Sequence, residues 1–284
     1  MGSEFDVTRQ LYLLSMRGVA LAEIGRIEDG MAAMKQGINI SEKFGAVFRL
    51  GALYNTLGYC YSKIVLPDHA WNYNLRAVEV VRSQMDQDAA GIRLYSEMHA
   101  QATVNLMENL FDQGKLDEAW ELMQSFKSES STKDYDIARH VWASRMNYLA
   151  AQVLISRNDI DQADTFIREN LEKVRGHQLK KREGCFLRLM GEVQLGRKQS
   201  EKAIEHFWEA VEILKEVGNP RQLWQAHSSL ASAFSKLKRL SEAREQWGAA
   251  SEVINKVANA LSDRQLREGF LGVDPIREIL SKAS

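Results

Sequence analysis

Leu195-Gly196-Arg197-Lys198-Gln199-Ser200-Glu201-Lys202-Ala203-Ile204-Glu205-His206-Phe207-Trp208-Glu209-Ala210 opens on a polar turn. It then places a small residue, Ala203, a large apolar one four positions on, and a second small one three beyond that. The same spacing recurs as Gly30, Met34 and Gly37; as Ala70, Asn74 and Ala77; and as Ala119, Met123 and Phe126. It recurs again as Ala163, Ile167 and Asn170, and as Ala243, Trp247 and Ala250, so six copies are visible. Self-similarity at such a period decides the architecture before any other reading. In the quoted copy Ala203, Ile204, Phe207, Ala210, Val211 and Leu214 gather on one stripe of a helix, with Glu, Lys and His between them. No stretch alternates apolar and polar residues between turn signals, so no strand is expected.

Twelve residues before each anchor stands a second small or adaptable residue: Gly18, Gly58, Met107, Ala151, Gly191 and Ala231. Tightly paired antiparallel helices need small residues where the backbones approach, because a large side chain there pushes the axes beyond about 8–10 Å. This pattern, with Leu57-Gly58 and Tyr61 in the second copy and Gly114 in the third copy's turn, resembles the tetratricopeptide repeat. The resemblance implies an all-α, right-handed superhelical solenoid of about six antiparallel helix pairs, built on the packing residues Gly18, Gly30, Gly58, Ala70, Ala119, Ala163, Gly191, Ala203, Ala231 and Ala243. The anchors step by 40, 49, 44, 40 and 40 residues, where the family's usual period is about 34. Longer helices or longer connections are therefore expected.

The organisation follows. Residues 1–5, Met1-Gly2-Ser3-Glu4-Phe5, read as an expression-vector scar, residues 6–261 as the repeats, and 262–284 as C-terminal capping helices. Ser262-Asp263-Arg264-Gln265 has capping-box spacing, and Phe270, Leu271 and Ile276 suit a cover for the apolar end. Pro67 is read as part of an inter-helix turn, Pro220 as marking a repeat boundary, and Pro275 as following a cap at Asp274; none falls inside an expected helix.

With 37 basic and 38 acidic residues the net charge is −1, so no global field draws the chain to nucleic acid or an anionic membrane. No apolar run is long enough for a span or a signal-peptide core. Cys60 and Cys185 are too few for a disulfide framework and read as buried small residues, which fits a reducing, cytoplasmic setting. The six histidines show no i, i+4 pairing that would point to a metal. Gly191 to Gly196 has the spacing of a phosphate loop but lacks the preceding strand and the Ser or Thr after Lys198. Asp117-Glu118 and Asp159 with Asp161 stand where helices begin and favour the positive end of the dipole rather than acid–base work. No cofactor, metal or catalytic residue is expected, and a helical enzyme with an unrecognised site is the remote alternative.

The resemblance instead implies a groove lined by the first helix of each pair. Its positions here are Asn55 and Tyr59, Glu108, Arg145, Tyr148 and Gln152, Arg188 and Glu192, and Gln225 and Ser228. Tyr and Arg anchor many interfaces, and Asn or Gln can hold the amides of an extended peptide. The expected function is non-catalytic capture of a protein or peptide, with no nucleic acid or membrane partner and with oligomeric state open. RNA-reading helical repeats need a basic inner face, which Glu108 and Glu192 oppose. Repeat proteins that grip a chaperone's C-terminal carboxylate carry Lys and Asn where this chain has Ser15 and Val19. The long period and the ending Leu261 to Leu271 look like helical-repeat regions following an ATPase module in large bacterial signalling proteins, some with cyclase or DNA-binding domains. That likeness implies a sensor or autoinhibitory arm as the alternative role.

Overall fold

The computed structural model describes residues 2–88 and 91–284 and is all-helical, with no strand among them. Six consecutive helix pairs are formed by α1 (Gly2–Glu23) with α2 (Ile27–Phe44), α3 (Val47–Lys63) with α4 (Pro67–Gln87), and α5 (Ile92–Asp112) with α6 (Leu116–Glu129). They continue as α7 (Arg139–Ser156) with α8 (Ile160–Gly176), α9 (Lys180–Gly196) with α10 (Ser200–Val217), and α11 (Pro220–Lys236) with α12 (Leu240–Asn259). Two short helices follow, α13 (Arg264–Gly272) and α14 (Asp274–Ala283). Of the leading five residues, Met1 lies outside the described residues and the backbone of the next four belongs to α1. The chain divides into two compact units, Met1–Met146 and Asn147–Ser284.

One turn geometry is reused inside every pair. A single left-handed residue, five positions before the small anchor, ends the first helix: Gly25, Val65, Gly114, Asn158, Lys198 and Lys238. The next residue's N–H reaches back to a carbonyl of the closing helix, as in Arg26 to Leu21 at 2.9 Å, Asp159 to Leu154 at 2.9 Å and Gln199 to Gln194 at 2.8 Å. This is the six-to-one bond of a Schellman ending. Its carbonyl then accepts the N–H of the anchor, as in Gly30 to Arg26 at 3.1 Å and Ala203 to Gln199 at 3.0 Å. Left-handed residues also stand between pairs, at Gly45, Ala138, Gln178 and Gly218, about twenty positions from their neighbours, so two helices of roughly five turns, each with a short link, account for the 40-residue step.

Small residues sit at the contacts. A Cβ on Gly191 would lie 2.4 Å from Phe207 Cε1, one on Gly18 2.4 Å from Met34 Cε, and one on Gly58 2.3 Å from Asn74 Oδ1. Gly30 faces the Gly18 carbonyl in the same way, at 3.0 Å. Ala70, Ala119, Ala163, Ala203, Ala231 and Ala243 are buried.

The two long steps have separate causes. The 49-residue step comes from α4 and α5, each 21 residues long, and the link between them. The 44-residue step contains a 3₁₀ turn at Lys133–Tyr135. There Phe126 occupies the position that is Gly or Ala in most copies, and its bulk is met by Tyr135 and Trp142 with centroids 5.7 and 5.6 Å away. Buried His99 locks this insertion: it accepts from Arg82 Nε at 2.9 Å and pairs through Nδ1 with the Tyr135 hydroxyl at 2.9 Å, which donates to Glu129 at 2.9 Å. Because Arg82 can only donate, His99 carries its proton on Nδ1. Burial holds its pKa down to about 4.

The chain end departs in detail from the sequence reading. Asp263, not Ser262, caps α13, accepting from the Gln265 and Leu266 amides at 2.8 and 3.2 Å. Asp274 is itself the first residue of α14, with Val273 before it. Pro67, read as a turn residue, is the first residue of α4, where its missing N–H costs nothing. Phe270, Ile276 and Ile279 are buried and α14 packs on α12, while Leu271 stays half-exposed. Among the described residues no helix is long and apolar enough to cross a membrane.

Two stability outcomes follow. Val65 is β-branched yet left-handed, with φ of 53°, so Val65→Gly is expected to gain about 1 kcal/mol in urea unfolding, and Gly114→Val to lose at least about that much. Opposite signs would show that the turn does not carry this strain. His99 is neutral when folded and protonated when unfolded between its ordinary value near 6.5 and about 4. Its contribution is therefore complete above pH 6.5 and lost as pH falls through that window. His99→Gln should flatten the pH dependence there, and an unchanged slope would remove His99 as its source.

Candidate functional site

In the first unit the leading helices α1, α3 and α5 enclose an open cavity of about 220 Å³. Tyr12, Met16 and Leu94 on its walls are exposed apolar side chains, at 47%, 45% and 47% of full exposure. Ser15 and Val19, the residues that depart from a carboxylate grip, also line it. Asn55 stands on its α3 side and Gln101 on its α5 side.

Asn55 belongs to a chain of amides whose direction is determined at both ends. Glu108 holds the buried Arg145 guanidinium through two contacts, of 3.2 and 2.8 Å. Arg145 donates to Asn105 Oδ1. Since arginine has no acceptor, the Asn105 oxygen must face it, leaving the Asn105 amide nitrogen to donate to Asn55 Oδ1 at 2.7 Å and Asn74 Oδ1 at 3.3 Å. Asn74 donates onward to Asn109 at 2.8 Å, Asn109 to Ser62 Oγ at 3.0 Å, and Ser62 to the Gly58 carbonyl at 3.2 Å. A donor-only guanidinium starts the chain and an acceptor-only carbonyl ends it. The Asn55 amide N–H groups are therefore turned away from the chain and have no partner among the described residues.

Tyr59 lies beside this relay. Its hydroxyl donates to Glu23, Lys63 Nζ stands 4.0 Å from its ring centroid and 3.1 Å from Glu23, and Arg145 lies 5.7 Å from the ring. Four expected positions, Asn55, Tyr59, Glu108 and Arg145, thus share contacts within this unit. Sequence reading missed Glu23, Lys63, Asn105 and Asn109. Only Lys63 carried a signal, standing one helical turn after Tyr59. Asn74, at the position that is large and apolar in the other copies, is a fully buried amide filling the space over Gly58.

In the second unit the expected residues are less open than a groove requires. Tyr148 is 6% exposed, and its hydroxyl accepts from Arg188 at 2.5 Å. Arg188, also 6% exposed, pairs with Glu192. The Tyr148 ring meets Phe186 edge-on at 5.8 Å and carries Arg182 at 5.7 Å. Burial pushes the Tyr148 phenol up to about 12. Arg188 Nε is buried without a partner. Gln152, Glu192, Gln225 and Ser228 are half-buried. Tyr148 and Arg188, expected as groove positions, are thus turned into contacts between α7 and α9.

The other candidates resolve into packing. Cys60 and Cys185 are fully buried, the first with its thiol pushed up to about 12 by burial and the second donating to Gln222 at 3.0 Å. Gly191 and Gly196 face Phe207 and Ile160. Asp117, Glu118 and Asp161 occupy first turns of α6 and α8. No cluster of three or more His, Cys, Asp or Glu able to hold a metal exists among the described residues.

Removing the cation from the second cluster should therefore read out as stability. Arg188→Met is expected to cost about 1–3 kcal/mol, since the Tyr148 hydroxyl and Glu192 lose their partner. Hydrogen exchange of the full-length chain should report the loss across α7, α9 and α11, and unchanged protection would show that the pair is not structural.

No family model and no curated protein matches the sequence. Solved structures do resemble it in fold. A Rap conjugation gene regulator of the plasmid pLS20, in complex with the Phr* peptide, aligns with a TM-score of 0.62 at 12% identity, covering 98% of this chain and 78% of that one. A Rap protein complexed with Competence and Sporulation Factor gives 0.61 at 13% identity, over 96% and 75%. A signal transduction ATPase with a tetratricopeptide repeat sensor from Pyrococcus horikoshii gives 0.56 at 14% identity, over 98% of this chain and 37% of that one. The fold of this chain is that of the tetratricopeptide-type helical-repeat proteins.

Proposed function

We propose that the chain is a non-catalytic scaffold that captures an extended peptide or protein segment on the faces of its leading helices. The observation that carries this reading is the open cavity between α1, α3 and α5, where apolar side chains stand exposed beside an amide with unused donors. Exposed apolar surface rimmed by polar groups marks interaction sites. On its walls Arg49 lies over the Tyr12 ring and Glu97 accepts from Gln101, and in the neighbouring relay Glu108 is engaged with Arg145 and Glu23 with Lys63, which leaves little for acid–base chemistry. Two proteins of similar fold were solved with a peptide or a factor bound, and that supports the same class of ligand here. Buried, unpaired Cys60 and Cys185 suit a cytoplasmic setting. A narrower form makes the chain the sensor arm of a larger signal-transduction ATPase, and the likeness to the archaeal ATPase is what favours it.

Selection of a phage-displayed random peptide library on the immobilised chain tests the reading. Enriched peptides should bind the wild type and lose about tenfold or more in affinity on Leu94→Glu, which places a charge on an exposed cavity wall. No enrichment over bare matrix, or equal binding to Leu94→Glu, would overturn it.

A further inference from the structure

Resting on that peptide-binding reading, we propose that the cavity between α1, α3 and α5 seats one aromatic side chain of an uncharged peptide segment, whose backbone amide is held at the rim by Asn55 and Gln101.

Size comes first. The cavity's volume of about 220 Å³ exceeds the ~150 Å³ in which an apolar protein cavity takes up benzene. A ring with its methylene therefore enters, whereas an alanine methyl would leave most of the space unfilled. Lining chemistry narrows the choice among large side chains. Met16 and Met98 present polarizable thioethers, which favour aromatic ring edges at about 5 Å. Tyr12 adds a ring face of its own.

Charge excludes the alternatives. One acid and one base reach the cavity, Glu97 and Arg49. Arg49 lies over the Tyr12 ring at 5.3 Å, and Glu97 accepts from the Gln101 amide at 3.4 Å. The opposite charges balance, so neither a basic nor an acidic ligand residue gains from the local field. The most buried lining groups, the hydroxyls of Ser15 and Thr56, answer each other at 3.4 Å and demand nothing of an occupant.

The rim supplies the complement of a peptide unit. Asn55 offers Nδ2 because the relay from Glu108 through Arg145 and Asn105 commits its oxygen. Gln101 spends Nε2 on Glu97, which turns its carbonyl oxygen the other way. One donor and one acceptor on facing helices match the C=O and N–H that flank a peptide side chain. A free aromatic molecule fills the cavity but leaves these two groups unanswered.

The test uses the full-length chain with ¹³C-methyl methionine and three probes: N-acetyl-tryptophanamide, N-acetyl-alaninamide and indole. N-acetyl-tryptophanamide should produce ring-current shifts at the Met16 and Met98 methyls, and N-acetyl-alaninamide should bind at least about tenfold more weakly. Asn55→Asp keeps the oxygen that Asn105 needs and removes the donor. It should weaken N-acetyl-tryptophanamide about tenfold while moving indole less than about twofold. Met98→Trp fills the cavity from within and should abolish all three responses, with thermal melting confirming that both variants fold. Absent shifts at Met16 and Met98, an alaninamide response equal to that of tryptophanamide, or equal losses for indole and tryptophanamide in Asn55→Asp would overturn the proposal. Phage-selected peptides that bind Met98→Trp as well as wild type would leave the scaffold reading standing and sink this one. Shifts obtained when no peptide can be selected would mark a small-molecule pocket, against both.

Discussion

Two antiparallel helices approach only as closely as their smallest facing side chains allow, and everything else in this fold hangs on that approach. Phe207 lies where a Cβ on Gly191 would stand, Met34 where one on Gly18 would, and Asn74 where one on Gly58 would. Each knob fills a notch cut by the absence of a side chain. The Schellman ending that precedes each second helix delivers the small anchor into register, because the cap carbonyl always accepts the anchor's own N–H. Contact and turn therefore specify the same geometry twice, and agreement between local and tertiary signals is what makes a repeat fold reliably.

This double specification explains what the sequence revealed and what it concealed. The anchors, the twelve-residue offset and the six pairs were legible because small residues at a helix crossing cannot be exchanged for large ones without displacing a backbone. The turns were far less legible. Only Gly25 and Gly114 among the six left-handed positions inside the pairs are glycine; Val65, Asn158, Lys198 and Lys238 are held there by backbone bonds rather than by their own preference. A pattern matcher looking for glycine finds a third of them. The long steps were visible as numbers, but their content was not, since nothing local says that Phe126 in a small-residue position is accommodated by Tyr135 and Trp142.

The leading-helix placement of the expected groove positions was legible, and their surroundings were not. Asn55, Tyr59, Glu108 and Arg145 were recoverable because helix-to-helix equivalence puts them on leading helices. Their environment was not recoverable, because burial of a polar side chain depends on partners remote in sequence. Arg145 takes Glu108 and Asn105 from α5, and Arg188 takes the Tyr148 hydroxyl from α7. A polar residue on a leading helix thus has two fates: it faces a ligand, or it is spent on the neighbouring repeat. Sequence spacing alone does not separate them.

The two units illustrate these fates with similar ingredients. Around Tyr148 the phenol, the guanidinium and the carboxylate close upon one another, and the ring is covered by Phe186 and Arg182. Around Asn55 a carboxylate and a guanidinium lead instead into a run of amides, a relay that leaves the Asn55 nitrogen unspent. The difference lies in direction: an arginine can only donate, so each amide after it must present oxygen backwards and nitrogen forwards. In the first unit one branch of that sequence ends on the Gly58 carbonyl, inside the core, and the other ends on Asn55 beside the open cavity. An ion pair on neighbouring helices thereby decides which atom of the Asn55 amide faces outward, which is preorganisation by hydrogen-bond polarity rather than by rigidity alone.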